Sequence, residues 1–278
     1  MSLFVFVSVL FAAFLHAGWN ALIKTGAGPV TSLAIMSAAQ GLLGLGLGIA
    51  AGWPPAHVWP WLLASGALHA GYKLFLAFAY EQGDLSRVYP IARGLAPLLV
   101  LAASAWLLAD VLAGTEIAGV GLLAVGILMM ARGVFSGGES GRLLPFAIGS
   151  AVCTAGYSLV DGMGARAWAL SGAYVSWMFA LDLAMFLPAA LYLRGTVILR
   201  AARRDWGRGA LAGLASYAAY AIAVWAMLHA PIALVTALRE TSILFAVLIG
   251  WLAFGERMDR GKAAAAALIL AGVVLTRL

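Results

Sequence analysis

The sequence predicts an all-α membrane protein of ten transmembrane helices, arranged as two inverted five-helix repeats. Of its 278 residues, 64% are hydrophobic and 10% are charged, whereas soluble domains carry about one quarter charged residues. The hydrophobic residues also fall into ten stretches long enough to cross a bilayer. Finally, polar landmarks recur with the same spacing in the two halves of the chain, 1–136 and 137–278.

The ten spans follow from length, because a helix needs roughly 20 apolar residues to cross the hydrocarbon core. The first span resembles a signal peptide, but it lacks a basic leading segment and continues through Trp19, so we expect it to be retained. The fourth and ninth spans are the least apolar, since they contain Arg93 and the adjacent Arg239 and Glu240. The predicted spans are 2–23, 30–51, 57–80, 86–109, 116–132, 143–165, 171–193, 208–229, 232–254 and 261–277.

The repeat is seen in the spacing of charged landmarks. Asp110 follows Arg93 by 17 positions, and Glu256 follows Arg239 by 17. In both halves a glycine follows the acid 16 positions later. Because each half holds an odd number of helices, the two copies must cross the membrane in opposite orientations. Inverted repeats are typical of transporters, whose substrate site lies near mid-membrane where the halves meet.

These landmarks, "VYPIARGLAPLLVL" (88–101) and "ALRETSILFAVLIGWLAFGERM" (237–258), resemble the duplicated domain of the drug/metabolite transporter superfamily. The resemblance covers nearly the whole chain and is closest to the ten-helix EamA-type exporters, among them bacterial exporters of aromatic and neutral amino acids. It implies secondary export of amino acids or related metabolites. Asp110 stands where the family usually shows glutamate, a conservative departure because both positions lie in a loop at a helix end.

Basic residues predict the orientation. Of 17 Lys and Arg, 12 lie in odd-numbered loops or at the span ends that border them, and 2 in even loops or tails, which places the odd loops in the cytoplasm and both termini outside. Relatives are often drawn with cytoplasmic termini, so two orientations stay open. The basic segment 193–209 contributes most to the bias, either as a connecting loop or as an interfacial helix on anionic lipid.

Charged residues inside spans are candidates for the substrate site, because exposure to lipid is costly. His69 and Lys73 share one helix face, which Tyr80 extends. Glu240 has no acidic counterpart in the first repeat and could hold an ammonium group, while a cation such as Lys73 would take a carboxylate. On this hypothesis Lys73→Ala abolishes transport while expression survives.

Further candidates come from the first helix of each half and from an aromatic face of the eighth span, which suits an apolar side chain. Helix packing explains the same patterns equally well. The candidate substrate-binding residues are Lys73, His69, Tyr80, Trp19, Asn20, His16, Tyr157, Glu240, Tyr217 and Tyr220. The candidates for structural ion pairing are Arg93, Arg239, Asp161 and Asp182.

Other functional classes fit the sequence less well. The 11 acids are scattered, without the clustering that holds Mg²⁺ in membrane transferases, and no His/Cys set has zinc spacing. We therefore expect no enzyme activity, metal or cofactor. No basic stretch is interleaved with aromatics, so nucleic acid is not an expected partner.

The sequence thus predicts a multi-pass protein of the inner (plasma) membrane that exports small zwitterionic metabolites, with amino acids as the leading candidate. Transport would use alternating access through a central cavity between the repeats. The expected partners are the substrate and membrane lipid, and a monomer would suffice. The alternative is a multidrug exporter of lipophilic cations, which basic residues within the spans disfavour. The coupling ion stays open.

Overall fold

A computed structural model describes residues 1–26, 28–82, 85–108, 110, 112–130, 143–254 and 259–278. Regular structure in these ranges is helical throughout. The α-helices are α1 (Leu3–Lys24), α2 (Pro29–Ala51), α3 (Trp59–Gln82), α4 (Leu85–Leu107), α5 (Gly114–Met130), α6 (Leu143–Trp168), α7 (Ser171–Arg194), α8 (Arg203–Met227), α9 (Ile232–Arg239), α10 (Ser242–Phe254) and α11 (Arg260–Leu275). Short 3₁₀ helices, Ala56–Val58 and Gly195–Arg200, precede α3 and follow α7.

Helices occupy each of the ten predicted ranges, but the prediction of one continuous helix over 232–254 is wrong. Glu240 and Thr241 separate α9 from α10. Their backbone amides donate to carbonyls three residues earlier, at 3.0 and 3.1 Å, and the Thr241 hydroxyl donates to the Leu238 carbonyl at 2.7 Å. Threonine side chains compete with helical bonding in this way. The backbone therefore changes from α-helical to 3₁₀-type bonding where the chain carries its charges.

The basic segment between the seventh and eighth spans also differs from prediction. It forms the 3₁₀ helix Gly195–Arg200, and α8 then begins at Arg203 rather than at residue 208. Asp205 lies in the first turn of α8, where a negative side chain interacts favourably with the helix dipole. The segment is thus neither a plain loop nor a separate α-helix.

Membrane-spanning character is clear for most of the chain. Among the described residues, 7 helical segments are long and apolar enough to cross a membrane. They coincide with the first three predicted spans and with the sixth to ninth, the ninth counted across the α9–α10 break. Large apolar side chains such as Phe4, Leu42 and Trp106 are exposed on the outside, as lipid contact requires. Helices α5 and α11 have 17 and 16 residues, and the apolar part of α4 covers only Arg93–Leu107, so ten complete spans stay a prediction.

Several helix–helix contacts stay the same when each helix is replaced by its predicted repeat counterpart. α2 packs along α7 and α5 along α11, so these predicted spans lie against their own repeat counterparts. The contact of α1 with α8 is matched by that of α3 with α6, and the contact of α2 with α8 by that of α3 with α7. This pattern is what two repeats related by a pseudo-two-fold axis would produce. The crossing direction of each half stays a prediction, and the landmark Glu256 lies outside the described residues.

Glycines allow α5 and α11 to approach closely. A Cβ atom on Gly126 would lie 2.9 Å from the Ile269 backbone nitrogen, and one on Gly272 would lie 2.7 Å from that of Leu123. Gly121, also on α5, has nothing within 4 Å of its Cβ position. Small residues at such interfaces let helix backbones pack directly in lipid, where apolar burial gives no driving force.

Candidate substrate site

Among the described residues, four pairs of ionisable side chains connect the two halves of the protein. In each pair, one residue comes from α3, α4 or the α4–α5 loop and the other from α6, α7 or the turn that follows α9. Three of the pairs are buried at depth, where an unpaired charge would be costly. The pairs are His69–Asp161, Lys73–Asp182, Arg93–Glu240 and Arg166–Asp110.

Lys73 is fully neutralised in this conformation. Its Nζ lies 2.5 Å from Asp182 Oδ2 and 2.5 Å from Ser37 Oγ, and Gln40 Nε2 donates to the same carboxylate oxygen at 3.3 Å. The ammonium also lies 5.2 Å from the Phe186 ring centroid. Lys73 is 2% exposed and Asp182 is 0% exposed. Lys73 therefore does not snorkel to the membrane surface, and its charge already has a carboxylate.

Glu240 is likewise paired. Arg93 Nε on α4 donates to Glu240 Oε2 at 2.7 Å, and both side chains are 2% exposed. Glu240 follows α9 directly, so the 3₁₀-type turn presents its carboxylate to α4. The acid that is unique to the second repeat thus neutralises the arginine of the first repeat.

Asp161 on α6 lies within a group of aromatic rings. The carboxylate is 0% exposed; Tyr174 donates to Oδ1 at 3.1 Å and Tyr220 donates to Oδ2. His69 Nε2 lies 3.0 Å from Oδ2. The imidazole stacks on Tyr157 with centroids 4.0 Å apart and meets Tyr220 edge-on at 5.1 Å. We call these five residues the Asp161 cluster. Its members come from α3, α6, α7 and α8.

Arg239, the repeat counterpart of Arg93, is in a different environment. It is 6% exposed, and its guanidinium carbon lies 4.8 Å from the centroid of the Tyr220 ring. Among the described residues it forms no ion pair and donates no hydrogen bond. Both arginines are candidates for structural ion pairs from the sequence alone. Among the described residues, Arg93 has a carboxylate partner and Arg239 does not.

The polar residues of α1 divide into two kinds. Asn20 Nδ2 donates to the His16 carbonyl at 2.8 Å, so this amide serves its own helix. The rings of His16 and Trp19 meet edge-on at 4.7 Å. His16 Nε2 and Trp19 Nε1 are buried without a hydrogen-bond partner in the described part of the chain. These two side chains retain unused hydrogen-bonding capacity inside the protein.

The predicted aromatic wall of the eighth span is split between two environments. Tyr220 belongs to the Asp161 cluster, whereas the Tyr217 hydroxyl lies 2.6 Å from Ser176 Oγ and its ring lies 5.3 Å from that of Phe179. Tyr80 lies on α3, but its side chain is outside the described residues. The structure therefore brings His69, Tyr157 and Tyr220 together and places Tyr217 beside them.

A fourth pair, near the α8–α9 connection, was not predicted from sequence. Arg166 donates two hydrogen bonds to Asp110, at 2.8 and 3.1 Å, and also donates to the Met227 and Ala230 carbonyls at 2.9 and 3.1 Å. Asp110 accepts in addition from the Ile232 amide at 3.0 Å, which caps the start of α9. The loop acid thus anchors a helix of the other half. Its conserved spacing in the repeat was the available signal.

Comparison with known proteins supports a membrane transporter. Residues 142–278 match the EamA-like transporter family. The match covers almost all of the predicted second repeat and supports the drug/metabolite transporter superfamily, a class of multi-pass membrane transporters. One solved crystal structure has the same fold, with a TM-score of 0.77 and 22% sequence identity; the match covers 99% of this chain and 98% of that chain. No curated protein matches the chain.

Among the described residues, no group of three or more His, Cys, Asp or Glu side chains is placed to hold a metal ion. The described residues of the site offer charged groups, hydrogen-bonding groups and aromatic faces. Such groups are chemically able to bind a small polar ligand, and the residues that carry them come from both halves of the chain.

Proposed function

We propose that this protein is a secondary transporter of the inner (plasma) membrane that exports small zwitterionic metabolites, with amino acids as the leading candidate. The observation that carries the proposal is that buried ion pairs, contributed from both halves, lie between helices of a transporter-family fold. Polar groups at membrane depth normally mark a substrate or ion pathway. In inverted-repeat transporters the site lies at the interface of the repeats.

The Asp161 cluster is the proposed ammonium site. A carboxylate has about four acceptor positions, and Asp161 receives three contacts, from Tyr174, Tyr220 and His69. Aromatic faces around a carboxylate are a recurrent arrangement for cationic ligands. Tyr157 and Tyr220 supply such faces beside His69. The cluster would therefore receive an ammonium group and offer its rings to an apolar side chain.

Alternating access would come from rocking of one half against the other. The Asp161 cluster draws on helices of both halves, so relative motion of the halves changes access to it. In this conformation Asp161 and its ring neighbours are buried, which corresponds to a site closed around its own side chains. A substrate ammonium would exchange for one of the internal donors as the halves separate.

The test is efflux of preloaded radiolabelled amino acids from liposomes that contain the purified protein, with and without a pH gradient. We expect efflux that several neutral and aromatic amino acids inhibit. Asp161→Asn should reduce it at least tenfold, whereas exposed Arg203→Gln on α8 should leave it unchanged. Efflux that persists with Asp161→Asn, or absence of any amino-acid efflux from wild-type protein, would contradict the proposal.

The multidrug alternative has one observation in its favour. The Asp161 cluster alone, a carboxylate among aromatic rings, also suits a lipophilic cation, and Lys73 is neutralised by Asp182. The same liposomes loaded with a quaternary ammonium dye distinguish the two functions. Dye efflux without amino-acid efflux would establish the alternative.

A further inference from the structure

We infer that Arg239 binds the carboxylate of the transported metabolite. The inference rests on the proposed function and assigns the second end of a zwitterion to a residue that sequence symmetry places among the structural pairs.

The first argument is the unmatched charge of Arg239. A guanidinium stays protonated in proteins and offers five donors. Arg239 is 6% exposed, yet the adjacent carboxylate of Glu240 is bound by Arg93. Its described contact is the face of Tyr220, which supports a cation but accepts no conventional hydrogen bond. A buried cation of this kind calls for an anion that the described chain does not supply.

The second argument is the hydrogen-bonding character of the surroundings. His16 lies on α1, which packs against α9, the helix of Thr236 and Arg239. Thr236 precedes Arg239 by three positions and shares its helix face. His16 Nε2 and Thr236 Oγ1 are both buried without a hydrogen-bond partner among the described residues. Both can donate a hydrogen bond, so they can bind an acceptor such as a carboxylate.

The third argument is the charge of that acceptor. Among the described residues, the other two buried lysines and arginines, Lys73 and Arg93, are each matched by one acid. One unmatched guanidinium fits a singly charged anion, and a carboxylate matches its fork with two parallel hydrogen bonds. A phosphate dianion would leave excess negative charge.

Tyr220 connects this carboxylate site to the proposed ammonium site. Its ring carries Arg239 on one face, and its hydroxyl donates to Asp161. A cationic and an anionic group thus lie on opposite parts of one side chain. A small zwitterion could engage both groups at once, with its side chain against the neighbouring aromatic rings.

The experiment compares amino acids with their amides, which keep the ammonium and side chain but lose the negative charge. Wild-type liposomes are tested for inhibition of labelled leucine and phenylalanine efflux by leucinamide and phenylalaninamide. We expect the free acids to inhibit at least tenfold better than the amides. Arg239→Gln should weaken inhibition by the acids roughly 30-fold or more, as loss of a buried charge partner does, and should make acid and amide equivalent.

Thermal stability separates binding from a structural role. Arg239→Gln removes an unmatched buried charge and should be at least as stable as wild type, whereas Arg93→Gln strands Glu240 and should be less stable. Arg239→Lys, which keeps the charge but loses the fork, should retain part of the discrimination. Full discrimination by Arg239→Gln, or its destabilisation to the level of Arg93→Gln, would overturn this inference alone. Absence of amino-acid efflux from wild-type protein would instead overturn the proposed function.

Discussion

Replacing Lys73 by methionine removes the cation that pairs with Asp182. The carboxylate is 0% exposed, and among the described residues only the Gln40 amide, at 3.3 Å, would still donate to it. Breaking a buried ion pair by removing one partner costs about 3–5 kcal/mol. We therefore expect Lys73→Met to lower the free energy of unfolding by that amount. Lys73→Ala should likewise reduce expression, contrary to the expectation from sequence that expression survives.

The double variant decides the role of the pair. Replacing both partners of a buried pair by apolar residues is often close to neutral, so Lys73→Met with Asp182→Leu should recover stability to within about 1–2 kcal/mol of wild type. Unfolding is followed by circular dichroism as SDS is added to maltoside micelles, with exposed Arg203→Gln as the control.

Transport assays on the same proteins complete the cycle. A stable double variant that still exports substrate makes the pair structural, and a stable but inactive one makes it part of the transport mechanism. Lys73→Met with wild-type stability, or a double variant as unstable as the single ones, would refute the reasoning from burial and geometry.

Two further predictions concern how the halves are held together. Gly126→Ala should lower the free energy of unfolding by about 1–3 kcal/mol, because its Cβ overpacks against α11. Gly121→Ala meets nothing within 4 Å and should raise it by up to about 1 kcal/mol through helix propensity. Thermal denaturation compares the two variants, and equal destabilisation would contradict the packing. Arg166→Gln removes the charge-assisted hydrogen bonds to Asp110 and should lower the free energy of unfolding by about 1–3 kcal/mol. Hydrogen exchange at the start of α9 should become faster. Unchanged exchange there would show that the contact does not hold α9.

Helix positions follow from sequence far better than partners do. The length of each hydrophobic stretch correctly predicted helix in every range, because a long apolar segment in lipid must form its backbone hydrogen bonds internally. Burial of Lys73, Arg93 and Asp182 was also foreseeable from the cost of charge in lipid. The partner of each was not, since Lys73 and Asp182 are 109 positions apart and several acids were equally eligible.

The break between α9 and α10 shows the same limit more sharply. No proline or glycine marks it, and Glu240 and Thr241 are compatible with a helix interior in other contexts. Turn-forming side-chain bonds and the reach of Glu240 to Arg93 depend on the packed arrangement. The matching repeat positions of Arg93 and Arg239 led to the same predicted role for both. In the structure Arg93 pairs with Glu240, whereas Arg239 lies over the ring of Tyr220.

The distribution of buried charge between the halves bears on how a duplicated protein evolves. Buried Lys73 and Arg93 belong to the first half, and the carboxylates that neutralise them, Asp182 and Glu240, belong to the second. A dimer of two first halves would bury cations without acids, so such a pair could not assemble stably. An ancestral subunit that paired with its own copy would have needed a self-complementary surface. In the present chain, neutralisation of the buried charge of each half depends on the other half.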